Sequence, residues 1–133
     1  MVVNTKVRPF LMFTGQAEEA IRFYVSLIPA SEVLEMSRYG PGQPGKEGTV
    51  VKALFRLGDL ELMAIDSYVR HDFNFTPALS LFVTCASEEE IRRLSVALAE
   101  GGAELMPLDN YGFSRRFAWV NDRFGVSWQL NLE

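Results

Sequence analysis

Few side chains in this sequence are of types that do chemistry unaided. Cys85 is the only thiol and His71 the only imidazole. A nucleophilic cysteine needs a base or a positive charge to become a thiolate, and no histidine lies near Cys85 in sequence. In the turn before Ser87 it reads better as a small packing residue. His71 falls in the polar stretch Arg70-His71-Asp72-Phe73-Asn74, where a solvated imidazole is expected. Asp66 and Ser67, at a strand end, offer hydrogen bonds either to a ligand or to the loop that follows. Arg115 and Arg116 offer charge to an anion. Adjacent strand residues point to opposite faces, however, so one is expected solvated and the other paired. Gly42, Gly45 and Gly48 do not run from a strand into a helix and form no phosphate-cradling loop.

Composition narrows the classes further. The 133 residues are 48% hydrophobic and 23% charged, which suits one folded domain rather than a disordered chain. A net charge of −4 with no basic block argues against nucleic acid as a partner, since neutralising phosphates takes clustered Lys and Arg. No apolar run approaches the roughly 20 residues of a membrane span. Residues 1–6 lack the features of a signal peptide, so a cytoplasmic location is expected. One cysteine makes neither an internal disulfide nor a multi-cysteine metal cluster.

The elements that must position these residues come in two sets. Shifted by 70 residues, Leu11, Thr14, Glu18, Glu19, Ile21 and Arg22 fall on Leu81, Thr84, Glu88, Glu89, Ile91 and Arg92 without a gap. A second match, Leu60-Glu61-Leu62 with Trp128-Gln129-Leu130, comes at a shift of 68. The first helix carries an apolar stripe at Ala17, Ala20, Ile21, Tyr24 and Ile28, and Pro29 stops it. The second opens with a capping box, Ser87 and Glu90, and has Ile91, Leu94 and Leu98 as its stripe. Strands are expected over residues 9–13, 31–39, 49–57 and 60–66, then around Leu81-Phe82-Val83-Thr84 and over 103–108, 115–120 and 126–132. The result is an α+β chain of two tandem β-α-β-β-β modules, residues 7–67 and 75–133, joined by a linker at 68–74. The strands are expected to form a curved mixed sheet around a cup, with the helices on the outer face.

Those modules, with Glu19-Ala20-Ile21-Arg22-Phe23-Tyr24 on the first helix, resemble the glyoxalase/bleomycin-resistance/extradiol-dioxygenase (vicinal oxygen chelate) superfamily. Several stretches resemble its PhnB-like branch, whose members are often labelled 3-demethylubiquinone methyltransferase-like. They are Phe10-Leu11-Met12-Phe13, Leu62-Met63-Ala64-Ile65-Asp66-Ser67, Ala99-Glu100-Gly101-Gly102, Tyr111-Gly112 and the run from Trp119 to Asn131. The sequence holds no Gly-rich strand–loop–helix motif suited to S-adenosylmethionine.

The resemblance implies a divalent metal held by His, Gln or Glu, two from each module. The corresponding positions are Pro9 and Glu61 in the first module, Ala78 and Gln129 in the second. Pro9 and Ala78 have no ligating side chain, and two oxygen ligands without histidine make a poor transition-metal site. The expectation is therefore no metal and no cofactor, with Glu61 and Gln129 as remnants. The parity that puts Phe10 and Met12 against the first helix turns Leu11 and Phe13 into the cup. Its expected lining is Leu11, Phe13, Met63 and Phe82, with Glu61, Ser80 and Gln129 as polar contacts. The function that follows is metal-free small-molecule binding by a homodimer. Two alternatives stand beside it: a metal-dependent lyase, isomerase or dioxygenase using Glu61 and Gln129, and an interaction module without a ligand.

Overall fold

The computed structural model describes residues 4–133. The chain divides into two compact units, one running to Arg70 and the other His71–Glu133. Each unit repeats the order strand, helix, three strands.

The first unit comprises β1 (Phe10–Phe13), α1 (Ala17–Leu27), β2 (Glu32–Arg38), β3 (Val50–Leu57) and β4 (Leu60–Asp66). Its four-stranded sheet has the order β1-β4-β3-β2. β1 runs parallel to β4, and the other pairs are antiparallel. Ala17, Ala20, Ile21 and Tyr24 of the expected stripe are buried. Ile28 falls just past the helix, its backbone already extended but its N–H still donating to the Tyr24 carbonyl. Gln16 at the helix start gives no side-chain cap. Asp66 supplies one from across the fold: its Oδ1 accepts from Gly15 N at 2.7 Å and Ala17 N at 3.0 Å, and its Oδ2 accepts from Val50 N at 2.9 Å. A carboxylate beside the first N–H groups of a helix meets both the unpaired donors and the dipole. The strand-end Asp66 is thus a structural cap that ties β4 to α1 and β3.

The second unit comprises β5 (Ser80–Thr84), α2 (Glu88–Ala99), β6 (Ala103–Asp109), β7 (Arg116–Asn121) and β8 (Ser127–Leu132). Its sheet order β5-β8-β7-β6 repeats that of the first, with one parallel pair, β5 with β8. Ile91, Leu94 and Leu98 are buried as the stripe requires. Ser87 Oγ accepts from Glu90 N at 3.1 Å. The return bond of the capping box is displaced by one residue: Glu90 Oε1 takes the N–H of Ala86, at 2.8 Å. Gly102 is required by contact, since a Cβ there would lie 2.0 Å from the Asn121 carbonyl oxygen.

The repeat also kept an ion pair. Glu18 binds Arg22 at 2.9 Å, and Glu88 binds Arg92 at 2.9 Å. Each gains a second arginine from a strand, Arg38 at 2.6 Å and Arg116 at 3.2 Å, but these strands are not equivalent ones. Arg115 is exposed, so the adjacent arginines divide as alternation requires. Among the described residues no helix is long and apolar enough to cross a membrane.

Candidate functional site

In each sheet one face packs on its helix, and the other, helix-distal face carries the candidate residues. Strand register assigns the faces. In the first sheet Leu11 pairs with Ala64 and Phe13 with Asp66, while Phe10 pairs with Met63. Leu11, Phe13, Leu62, Ala64 and Asp66 are all buried, whereas Phe10 is 57% exposed. Leu11 and Phe13 therefore lie on the helix side, opposite Glu61 and Met63. This corrects the expected lining. Phe10 and Met12 take their places on the helix-distal face, and parity failed because residues 10–13 are apolar at every position.

Glu61 and Met63 do share the helix-distal face. Glu61 is held by Arg8, whose Nε and Nη2 reach Oε1 at 2.9 and 2.8 Å. Arg56 stands opposite Glu61 in register, but its guanidinium turns to Gly58 O at 3.0 Å and Glu32 Oε1 at 3.0 Å. Phe10, Met12, Leu54, Met63 and Ile65 add apolar surface to this face, while Lys52 of β3 and Glu32, Glu35 and Ser37 of β2 add polar and charged groups.

In the second sheet Ser80, Phe82 and Gln129 share the helix-distal face. Three lateral rows cross β5, β8 and β7: Ser80–Ser127–Asn121, Phe82–Gln129–Trp119 and Thr84–Asn131–Phe117. None of the nine side chains is ionisable. Ser80 Oγ and Ser127 Oγ are 2.6 Å apart. Trp119 Nε1 donates to Ser127 Oγ at 2.8 Å, and Gln129 Nε2 donates to Ser80 Oγ at 3.3 Å. Phe82 is 59% exposed beside Gln129. Parity of the last strand turns Ser127 to the same side as Gln129, but Trp119 is not picked out from sequence, although the alternation of β7 opposite Gln129 carries the signal.

The registers also correct the second repeat match. Phe10 pairs with Met63 and Ser80 with Ser127, so a shift of 70 on the first strand (10 to 80) accompanies 64 on the last (63 to 127). On that footing Gln129 is the counterpart of Ile65, and Glu61 that of Gly125. The final hairpin contributes: beyond Ala53 and Ala64 the first unit stays paired out to Leu57 and Leu60, whereas beyond the equivalent Val120 and Trp128 the second pairs only Asn121 with Ser127. Glu61 and Gln129 are not symmetric positions.

A divalent metal does not fit these residues. The Glu61 carboxylate is committed to Arg8. The carbonyl of Pro9 accepts Met63 N–H at 2.9 Å, and Ala78 offers no side-chain donor atom. Among the described residues no three His, Cys, Asp or Glu side chains gather where they could hold an ion. Cys85 is also unsuited to attack, because burial first, and the Glu90 charge second, push its thiol up to about 11. His71 stacks on Phe73 with ring centroids 4.7 Å apart.

Comparison with known proteins agrees with the fold. The family model described as 3-demethylubiquinone-9 3-methyltransferase matches residues 5–131. The PhnB protein of Bacillus cereus is 56% identical, with a TM-score of 0.95 over 97% of this chain and 100% of that one. Protein PA1353 of Pseudomonas aeruginosa is 30% identical, with a TM-score of 0.84 over 98% of each chain. The fosfomycin resistance protein FosX of Mesorhizobium loti, at 8% identity, shares the fold, with a TM-score of 0.61 over 98% of this chain and 92% of that one. No curated protein matches the chain.

Proposed function

This chain belongs to the PhnB-like 3-demethylubiquinone-9 3-methyltransferase family, of vicinal oxygen chelate fold, and we propose that it is a metal-independent small-molecule-binding protein. The observation that carries the reading is the helix-distal face of β5, β8 and β7 in the second sheet: nine uncharged positions in which Phe82 and Trp119 flank Gln129. Aromatic surface around a few fixed polar groups is the usual form of a small-molecule site. The apolar helix-distal residues Met63 and Phe10 of the first sheet extend the same chemistry there, with Arg8 and Glu61 as a neutral ion pair. The family's name describes methyl transfer. In this sequence a single glycine, Gly15, stands between β1 and α1, too few for a Gly-rich cofactor loop.

A metal-dependent reaction has less support, because Glu61 is paired and its partner positions lack donor atoms. A homodimer in the cytoplasm completes the proposal. End strands β2 and β6 leave backbone groups that a second copy can pair with, and light scattering returning a monomer at micromolar concentration would remove that part. The binding reading is tested by thermal-shift screening of neutral planar compounds against the full chain in chelator. A ligand present at 100 times its Kd raises stability by about 2.7 kcal/mol, a readily measured shift. No stabilisation across a broad planar set would sink it.

A further inference from the structure

The hydroxyl pair Ser80 and Ser127 has more hydrogens than its internal bonds use. Indole Nε1 only donates, and so does the amide nitrogen of Gln129. Trp119 therefore gives a hydrogen to Ser127 and Gln129 gives one to Ser80. One hydroxyl hydrogen serves the 2.6 Å bond between the serines. The other has no acceptor within the network.

Burial decides which serine keeps it. Ser127 is 0% exposed, and a buried hydroxyl hydrogen without an acceptor is costly. Its cross-strand neighbour Asn121 is no outlet, since the buried Asn121 Oδ1 accepts no hydrogen bond. Ser127 is best satisfied by donating to Ser80. Ser80, half-buried at the end strand, then accepts twice and has its own O–H free. Gln129, anchored through its nitrogen, has its Oε1 free as an acceptor.

Resting on the binding reading above, we infer that Ser80 and Gln129 form a paired donor and acceptor that recognises the cis-amide edge of a neutral planar lactam. The ligand carbonyl accepts from Ser80 Oγ–H, and the adjacent ligand N–H donates to Gln129 Oε1. The exposed ring of Phe82, next to Gln129 in register, supplies a surface for the ligand's aromatic plane. The rows through Ser80 and Gln129 continue onto β6 at Ala103 and Met106, and the ionisable Asp109 stands in the third row, opposite Phe117, so recognition at Ser80 and Gln129 does not call for a charged ligand.

The test is calorimetry on the full chain with 2-quinolone, N-methyl-2-quinolone and naphthalene. The methylated compound keeps the plane and carbonyl but loses the N–H. The expected result is at least tenfold tighter binding of 2-quinolone than of its methylated form. Gln129→Leu should erase that difference, and Ser80→Ala should weaken both lactams toward naphthalene. Gln129→Met serves as a second variant where the leucine disturbs β8. Equal affinities of the two quinolones in the wild-type chain overturn the inference and leave the binding reading standing, as does a difference that survives in both Gln129 variants. No binding by any of the three compounds overturns the inference and counts against the binding reading as well.

Discussion

Arg8 reaches across to Glu61, placing two guanidinium nitrogens within 2.9 Å of one carboxylate oxygen. The carboxylate that family resemblance marks as a metal ligand is thereby neutralised by a residue next to the position where another ligand would stand. The Glu61 side chain is 38% exposed, so the pair is expected to add little stability, under about 1 kcal/mol. A double-mutant cycle with Arg8→Ala and Glu61→Ala, read by urea unfolding, checks this. A coupling above about 2 kcal/mol would mean a pair far better shielded from water than its exposure allows.

Asp66 is where stability is concentrated. Its carboxylate takes three backbone N–H groups, from Gly15, Ala17 and Val50, and is 4% exposed. Asp66→Ala leaves those donors unpaired, at a cost on the order of 3 kcal/mol or more. Asp66→Asn keeps one accepting oxygen and should lose less. Equal, small losses in both variants would show that water replaces the cap.

The surface cluster at Glu18 gives a pH signature. Hydrogen bonds from Arg38 and then Arg22 lower its carboxyl from 4.5 to about 2. Because the folded value lies below the unfolded one, the contribution is complete above about pH 4.5 and is lost as pH falls toward 2. Its partners are well solvated, so the amount is under about 1 kcal/mol. Unfolding midpoints of wild type and Glu18→Gln should differ at pH 6 and converge near pH 2. A constant gap would contradict the assignment.

Gly102 has no room for a side chain, since the Asn121 carbonyl stands 2.0 Å from the place of a Cβ. Gly102→Ala is expected to cost about 1–3 kcal/mol, as overpacking does. Gly42→Ala is the control: its φ of 77° is strained for alanine, but nothing lies within 4 Å. A smaller loss at Gly102 than at Gly42 would show that β7 yields easily there.

Most of the fold was legible in the sequence, and the reasons are local. The stripes of α1 and α2, the stop at Pro29 and the Ser87 cap act over three or four residues. They leave direct traces in residue type. The strand faces were legible only where polar residues alternate with apolar ones, as in Ser127-Trp128-Gln129-Leu130. Phe10-Leu11-Met12-Phe13 is apolar throughout, so its parity shows only in its pairing with the distant strand β4, from Phe10 with Met63 to Phe13 with Asp66. The match of Leu60-Glu61-Leu62 with Trp128-Gln129-Leu130 misled for a related reason. An apolar–polar–apolar triplet recurs along any half-buried strand, and only the strand pairing reveals the four-residue slide.

Metal independence is the claim most open to direct attack. A planar compound that stabilises the chain should be titrated by calorimetry twice, once in chelator and once with saturating Mn(II). The expected result is the same Kd in both. Binding that disappears in chelator, or tightens tenfold or more with Mn(II), would contradict it and return Glu61 and Gln129 to a metal.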